Sequence, residues 1–157
     1  MLIRKFVKDD IKQVLEICRE VRDHHIAILN GYFKEQDDDV EKMFFLNSLE
    51  NENIVALVAE EQGVIAGYLL AEKREAPHLV ETKVAHISNF GVKKDMRNQG
   101  IGRRLMDAFY TICQQYHIDE IKLGVFCKNE QACKFYQKYG FEEYERRMHI
   151  RVQKPGT

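Results

Sequence analysis

No stretch of this 157-residue chain approaches the roughly 18 apolar residues of a membrane span, and residues 1–7 are too short for the apolar core of a signal peptide. The chain is therefore expected to be soluble and cytoplasmic. A charge excess is missing too. Lys and Arg number 24 against 25 Asp and Glu, a formal net charge of −1. Without a global basic excess there is nothing to neutralise a phosphate backbone, so no nucleic-acid partner is expected. The four cysteines, at 18, 113, 127 and 133, include no Cys-x-x-Cys pair and have no histidine at zinc-ligand spacing, so no metal site is expected. Buried reduced thiols in a cytosolic protein are the plain reading. A nucleophilic Cys127 or Cys133 would need a base that the sequence does not single out. Internal repeats, low-complexity tracts and long linkers are absent as well, which leaves one domain over residues 1–157.

What is present is ordinary globular composition, 45% hydrophobic and 31% charged. Residues 2–7 read as an opening strand. Asp9 or Asp10 can cap a helix whose apolar positions Ile11, Val14, Leu15, Cys18 and Val21 recur at the helical period, up to the break at Asn30-Gly31. The acidic cluster Asp37, Asp38 and Asp39 suits the positive end of a second helix, with Val40, Phe44, Phe45 and Leu49 on one face. Runs 54–60 and 64–72 are β-rich and flank Gln62-Gly63, a hairpin signature. After a charged connection containing Pro77, the pattern predicts a strand over about 82–92 and a helix over about 100–116. A strand at 119–127, a helix at 130–138 and a final strand over about 141–151 follow. The order β-α-α-β-β-β-α-β-α-β predicts an α/β fold, a mixed sheet with helices on both faces.

The motif with chemical content lies between the strand ending at Val92 and the next helix: Arg97, Asn98, Gln99, Gly100, Ile101 and Gly102. A strand feeding a glycine loop feeding a helix start aims several unpaired N–H groups at one point, which is an anion site of pyrophosphate size. Two glycines at a helix start are equally a tight turn. Other phosphate motifs fail. There is no Gly-x-x-x-x-Gly-Lys-Ser/Thr, and Leu105 stands where Gly-x-Gly-x-x-Gly needs its third glycine. Lys93, Lys94, Arg97, Arg103 and Arg104 surround the loop; cations oppose the dipole at a helix N-terminus, and ligand phosphates would offset that.

Arg97-x-x-Gly100-x-Gly102 resembles the pyrophosphate-binding signature of the GCN5-related N-acetyltransferases (GNAT). About 40 residues on, Asn129, Ala132, Phe135-Tyr136 and Gly140-Phe141 resemble the second motif of that family, in the expected order and with a strand between. The resemblance spans nearly the whole chain. It implies a GNAT-like acyl-CoA N-acyltransferase fold, acetyl-CoA as co-substrate, and direct attack of an amine on the thioester in a ternary complex.

It also implies residue roles. Arg97, Asn98, Gln99, Gly100, Ile101, Gly102 and Arg103 would hold the cofactor phosphates, with Lys134 a weaker candidate at the adenosine end. The main chain at Phe90 and Val92 would meet pantetheine and the acetyl carbonyl, beside a strand bulge expected at Gly91. Asn129 would hydrogen-bond the pantetheine arm while also suiting a helix N-cap. Tyr136 would give a proton to the leaving sulfur, or else simply pack with Ala132 and Phe135. His86 falls near the strand position where histone-acetylating relatives carry a glutamate base; a lone strand histidine is also commonly structural. Ser88 would share the His86 face if no bulge intervenes.

Acceptor choice would rest on the first two helices and their connection, where His24, His25, Tyr32, Phe33, Glu35 and Asp37 to Asp39 stand. Carboxylates there could draw a cationic amine, or be a solvated helix cap. The reading from another class is a non-catalytic acyl-CoA-binding regulatory module. Expected partners are acetyl-CoA and an amine, with no membrane and with room for a homodimer.

Overall fold

The computed structural model describes residues 1–34, 37–80 and 82–152. Strand β1 (Leu2–Lys5) opens the chain. A short 3-10 turn at Lys8–Asp10 leads into α1 (Ile11–Leu29). Asp10 fixes this entry: its carboxylate takes both arms of the Arg4 guanidinium at 2.7 and 2.8 Å and the Val7 amide at 2.9 Å. Helix α1 ends where Asn30 and Gly31 turn left-handed, at φ 27 and 75. Helix α2 (Asp38–Glu50) starts from Asp37, whose side chain accepts the Asp39 amide at 3.0 Å.

Strands β2 (Ile54–Glu61) and β3 (Val64–Glu75) form the predicted hairpin, with Gln62 and Gly63 both at positive φ as a two-residue primed turn requires. Strand β4 (Lys83–Val92), helix α3 (Ile101–Gln115), strand β5 (Glu120–Leu123) and helix α4 (Glu130–Tyr139) complete the element order. The sheet runs β1-β2-β3-β4-β5, antiparallel except for the parallel β4–β5 pair. Helices α1 and α2 cover one face, burying Phe6, Val14, Ile17, Phe45, Tyr68 and Leu70. Helix α3 covers the other, over Leu57, Ala59, Leu69, Ala71 and its own Leu105 and Phe109, with Phe135 of α4 packed alongside.

Three expectations need correction. The bulge is not at Gly91, which stands in register opposite Tyr68; Asn89 faces Leu70 and Ile87 faces Ala71, so Ser88 is the extra residue. Gly91 answers to packing instead. A Cβ there would sit 2.9 Å from the Tyr68 ring and 3.1 Å from Ile17 and Val21, so α1 lies on the sheet only because this residue has no side chain. Strand β5 is four residues, not nine. Its ladder with β4 ends at Ile87–Leu123, immediately before the bulge turns β4 away. The final strand over 141–151 is not formed: residues 141–152 join no ladder, and Met148, Ile150 and Val152 are almost wholly exposed. The pattern is strand-like, but among the described residues no backbone ladder joins the segment to the open edge of β5; the contact it makes there is between side chains, Lys122 Nζ over the Tyr144 ring at 5.1 Å.

Candidate active site

The bulge and the early end of the β5 ladder have one joint consequence. Beyond Ile87, β4 and β5 diverge, and a cavity of about 1020 Å³ opens between them. Its outer end is the glycine loop, its middle is β4 from Ile87 to Val92 facing Val125 and Phe126, and its inner end reaches α1 and α2.

At the outer end Asn98 and Gly100 are left-handed, φ 62 and 79, conformations that Asn tolerates and Gly adopts freely. The first intrahelical bond of α3 runs from the Arg104 amide to the Gly100 carbonyl at 3.0 Å. The amides of Ile101, Gly102 and Arg103 therefore have no acceptor within the helix, and they stand at its positive end. Gly102 has a second reason to be glycine: a Cβ there would come within 3.3 Å of the Phe135 and Phe90 rings. Arg97 ties the loop to the strand, its Nε donating to the Val92 carbonyl at 3.0 Å. Of the seven loop residues expected to hold phosphates, six line the cavity; Gln99 does not, and its amide turns back to the Asp95 carbonyl at 3.4 Å. Lys134 also lies on the wall.

In the middle, Phe90 and Val92 line the cavity on the stretch of β4 that has lost its β5 partner. Tyr136 is half-buried there among the rings of Phe90, Phe135 and Phe141, at centroid distances of 6.3, 5.4 and 5.6 Å. Burial, and then Cys133, push its phenol up to about 12. Asn129 caps α4 by accepting the Ala132 amide at 3.3 Å, and its Nδ2 lies 3.3 Å from His25 Nε2. His86 is not on the wall, which begins one residue later at Ile87; it stands opposite Glu72. The bulge at Ser88 also breaks the shared face expected for His86 and Ser88.

The inner end holds His25, which the sequence offered for acceptor choice, and Glu41, which it did not single out. His25 lines the cavity, packed against Phe33 and Phe126 at 5.9 and 5.8 Å; burial and then His24 lower its pKa. Glu41 is buried at 8% exposure. Its Oε1 accepts from Arg22 at 2.8 Å, and its Oε2 has no hydrogen-bond partner. Beside it the Tyr68 hydroxyl donates to Asn89 at 2.7 Å, and burial raises the Cys18 thiol to about 11. Position was the available signal for Glu41: it sits one turn before Phe45 on the buried stripe of α2. Asp37 takes the capping role and Asp38 pairs with Arg19 at 3.1 Å, while Glu35 lies outside the described residues. Among the described residues no group of three or more His, Cys, Asp or Glu is placed to hold a metal, and no helix is long and apolar enough to cross a membrane.

A mixed sheet splayed at a bulge, with an amide-lined helix start at one mouth of the gap, leaves a long cleft between two strands with an anion-attracting end. The chain belongs to the acetyltransferase (GNAT) family, whose description matches residues 12–141. It is 35% identical over 92 residues to an L-amino acid N-acetyltransferase of Escherichia coli, covering 57% of this chain and 54% of that one. It is 27% identical over 151 residues to N-alpha-acetyltransferase 60 of Xenopus tropicalis, covering 91% of this chain and 60% of that one. The chain thus spans between half and two thirds of the length of these curated relatives. The solved structure of a tetramutant of the BH1408 protein from Bacillus halodurans shares the fold, with a TM-score of 0.89 at 24% identity over 97% of this chain and 100% of that one.

Proposed function

We propose that the chain is an N-acetyltransferase that moves an acetyl group from acetyl-CoA to an amine by direct attack. The observation that carries this is the splayed β4–β5 gap ending on the free amides of Ile101, Gly102 and Arg103. Pyrophosphate would rest on those amides, with Arg97, Asn98 and Arg103 around it. The pantetheine arm would lie along β4 at Phe90 and Val92, within reach of Asn129. Attack forms the N–C bond and breaks the C–S bond. The amine must shed one proton, and the departing sulfur ends as a thiol. Tyr136, in the cavity wall beside Phe90, would supply that proton.

Burial lowers the pKa of both His86 and His25, so each is neutral at pH 7 and able to accept a proton. His86 would act only through water from outside the wall; His25 stands in the wall, which favours it as a second reading of the acceptor. The inner end supports a cationic acceptor group, because the open oxygen of Glu41 asks for a donor. Free α-amino groups of amino acids or peptides suit a cleft that ends beside a buried carboxylate. The four cysteines are all free thiols, as a cytoplasmic setting would leave them.

Thiol release from acetyl-CoA, followed across amino acids, peptides with free N-termini, polyamines and aminoglycosides, tests the reading. Amine-dependent release supports it. Binding of acetyl-CoA with no release against any amine supports the regulatory module instead.

A further inference from the structure

Two contacts fix which way the Asn129 side chain faces. Its Oδ1 accepts the Ala132 amide at 3.3 Å as the cap of α4, and a backbone amide can only donate. The other half of the side chain is therefore Nδ2, which stands 3.3 Å from His25 Nε2. A side-chain amide nitrogen has hydrogens to give and accepts none. The contact is a hydrogen bond only if Nε2 is the bare nitrogen of a neutral ring, which puts the ring proton on Nδ1. The other tautomer, and the imidazolium, would set N–H against N–H.

The surroundings of His25 agree with a neutral ring. Phe33 and Phe126 pack on it at 5.9 and 5.8 Å, and burial and then His24 lower its pKa. Charged and titratable groups on the elements beside it are Arg22 and His24 of α1, Tyr32 and Lys34 after that helix, and Lys128 before Asn129. His149 stands behind Tyr32 at 6.0 Å, and Glu41 of α2 is engaged with Arg22. Of these, His24 shifts it. His25 and Asn129 both line the cavity, so the bare nitrogen lies in its wall.

We propose that Asn129 is a positioning residue for the proton transfer: by donating to Nε2 it holds His25 as the Nδ1–H tautomer and keeps the Nε2 lone pair for the acceptor amine. The assignment rests on the direct-attack reading above. At 3.3 Å the bond is long and yields to a closer donor such as an ammonium. The ammonium N–H bond breaks, its electron pair stays on the nitrogen that attacks the acetyl carbon, and the proton forms the Nε2–H bond. That N–H then faces the Asn129 amide, donor against donor. The imidazolium is disfavoured there, so the proton passes on to water.

Two-bond correlation spectra of the full chain carrying 15N-histidine read the tautomer of each of its 6 histidines. His25 is the signal that His25→Gln removes, and it is expected to carry its proton on Nδ1. Asn129→Asp keeps the helix cap, since Asp caps as well as Asn, but puts an acceptor where the donor was. His25 should then move its proton to Nε2, and its pKa, titrated in the same spectra, should rise by about 1–3 units. A raised pKa keeps the ring protonated to higher pH, so the acid limb of kcat/KM should move up by the same amount. The kcat should fall by up to about 10⁴-fold, as it does for a catalytic imidazole held in the wrong tautomer. An Nε2–H tautomer in the wild type overturns the proposal, as does an Asn129→Asp chain whose His25 tautomer and pKa stay put. So does an acid limb that stays in place while the His25 pKa moves. Thiol release that no amine induces refutes the direct-attack reading instead; the tautomer, read without turnover, tells that failure from this one.

Discussion

Replacing Tyr136 by phenylalanine removes one hydroxyl and keeps the ring that packs on Phe90, Phe135 and Phe141. The size of the loss tells which job the hydroxyl does. With its phenol at about 12, Tyr136 holds its proton more tightly than an alkyl thiol near ~8.5 would. Full transfer to a sulfur as basic as that of cysteine is then uphill by about 3.5 pK units, or roughly 5 kcal/mol. Donating a hydrogen bond to the developing thiolate carries no such cost and contributes about 1.5–3 kcal/mol, as hydrogen bonds to charged groups do. The expected loss in kcat/KM is thus roughly 10- to 150-fold, borne by kcat rather than by KM for acetyl-CoA. A loss of about 10⁴-fold would instead demand a true proton transfer at the upper end of general acid catalysis.

Steady-state kinetics with acetyl-CoA and the best acceptor from the panel measure this. The pH profile adds an independent check. A donor at about 12 gives no alkaline limb of its own below pH 10, in wild type or variant. An unchanged kcat in Tyr136→Phe, or a rise in KM alone, refutes the role and leaves the ring as packing.

Other outcomes follow from the same geometry. Burial lowers the pKa of His25 and of His86, and the neutral form accepts the proton, so the acid limb of kcat/KM should fall below pH 6.5. His25→Gln and His86→Gln separate the two: the acting base loses the limb and about 10²–10⁴ in rate, and the other keeps its limb. Glu41→Gln should raise the acceptor KM by about tenfold or more through loss of a charged hydrogen bond, with the KM for acetyl-CoA unmoved; equal changes in both would refute an acceptor site there. Gly91→Ala, forcing a methyl to within 2.9 Å of Tyr68, should cost about 1–3 kcal/mol, or about 2–4 °C of Tm for each of those, by thermal denaturation. For Asp10, burial works to raise the pKa, but the Arg4 and Val7 hydrogen bonds outweigh it and hold the carboxyl below its usual range. Its stabilisation is therefore complete above about pH 4 and lost as pH falls through the lowered value, so the Tm gap to Asp10→Asn should shrink with acid.

Periodicity and turn chemistry carried most of the fold into the sequence. The buried stripe of α1, the Gln62-Gly63 turn and the caps at Asp37 and Asn129 are local signals, and each stands where the pattern put it. The loop at Asn98 to Gly102 was legible for the same reason, since positive φ and free amides belong to the loop itself. The bulge was not. Whether Ser88 or Gly91 is the extra residue depends on how β4 registers against β3, and register is a property of two strands, not one. That single uncertainty reaches the chemistry. A bulge at Ser88 breaks the alternation expected along β4, whose cavity lining starts at Ile87 and not at His86, and leaves His24 and His25 of α1 as the imidazoles in the wall. Glu41 was hidden for a related reason: its open oxygen is visible only once α2 is laid beside Arg22 of α1. The unformed strand over 141–151 is the complementary case. There the local pattern is strand-like, but pairing is a property of two strands in register, and no ladder joins the segment to the open edge of β5 among the described residues.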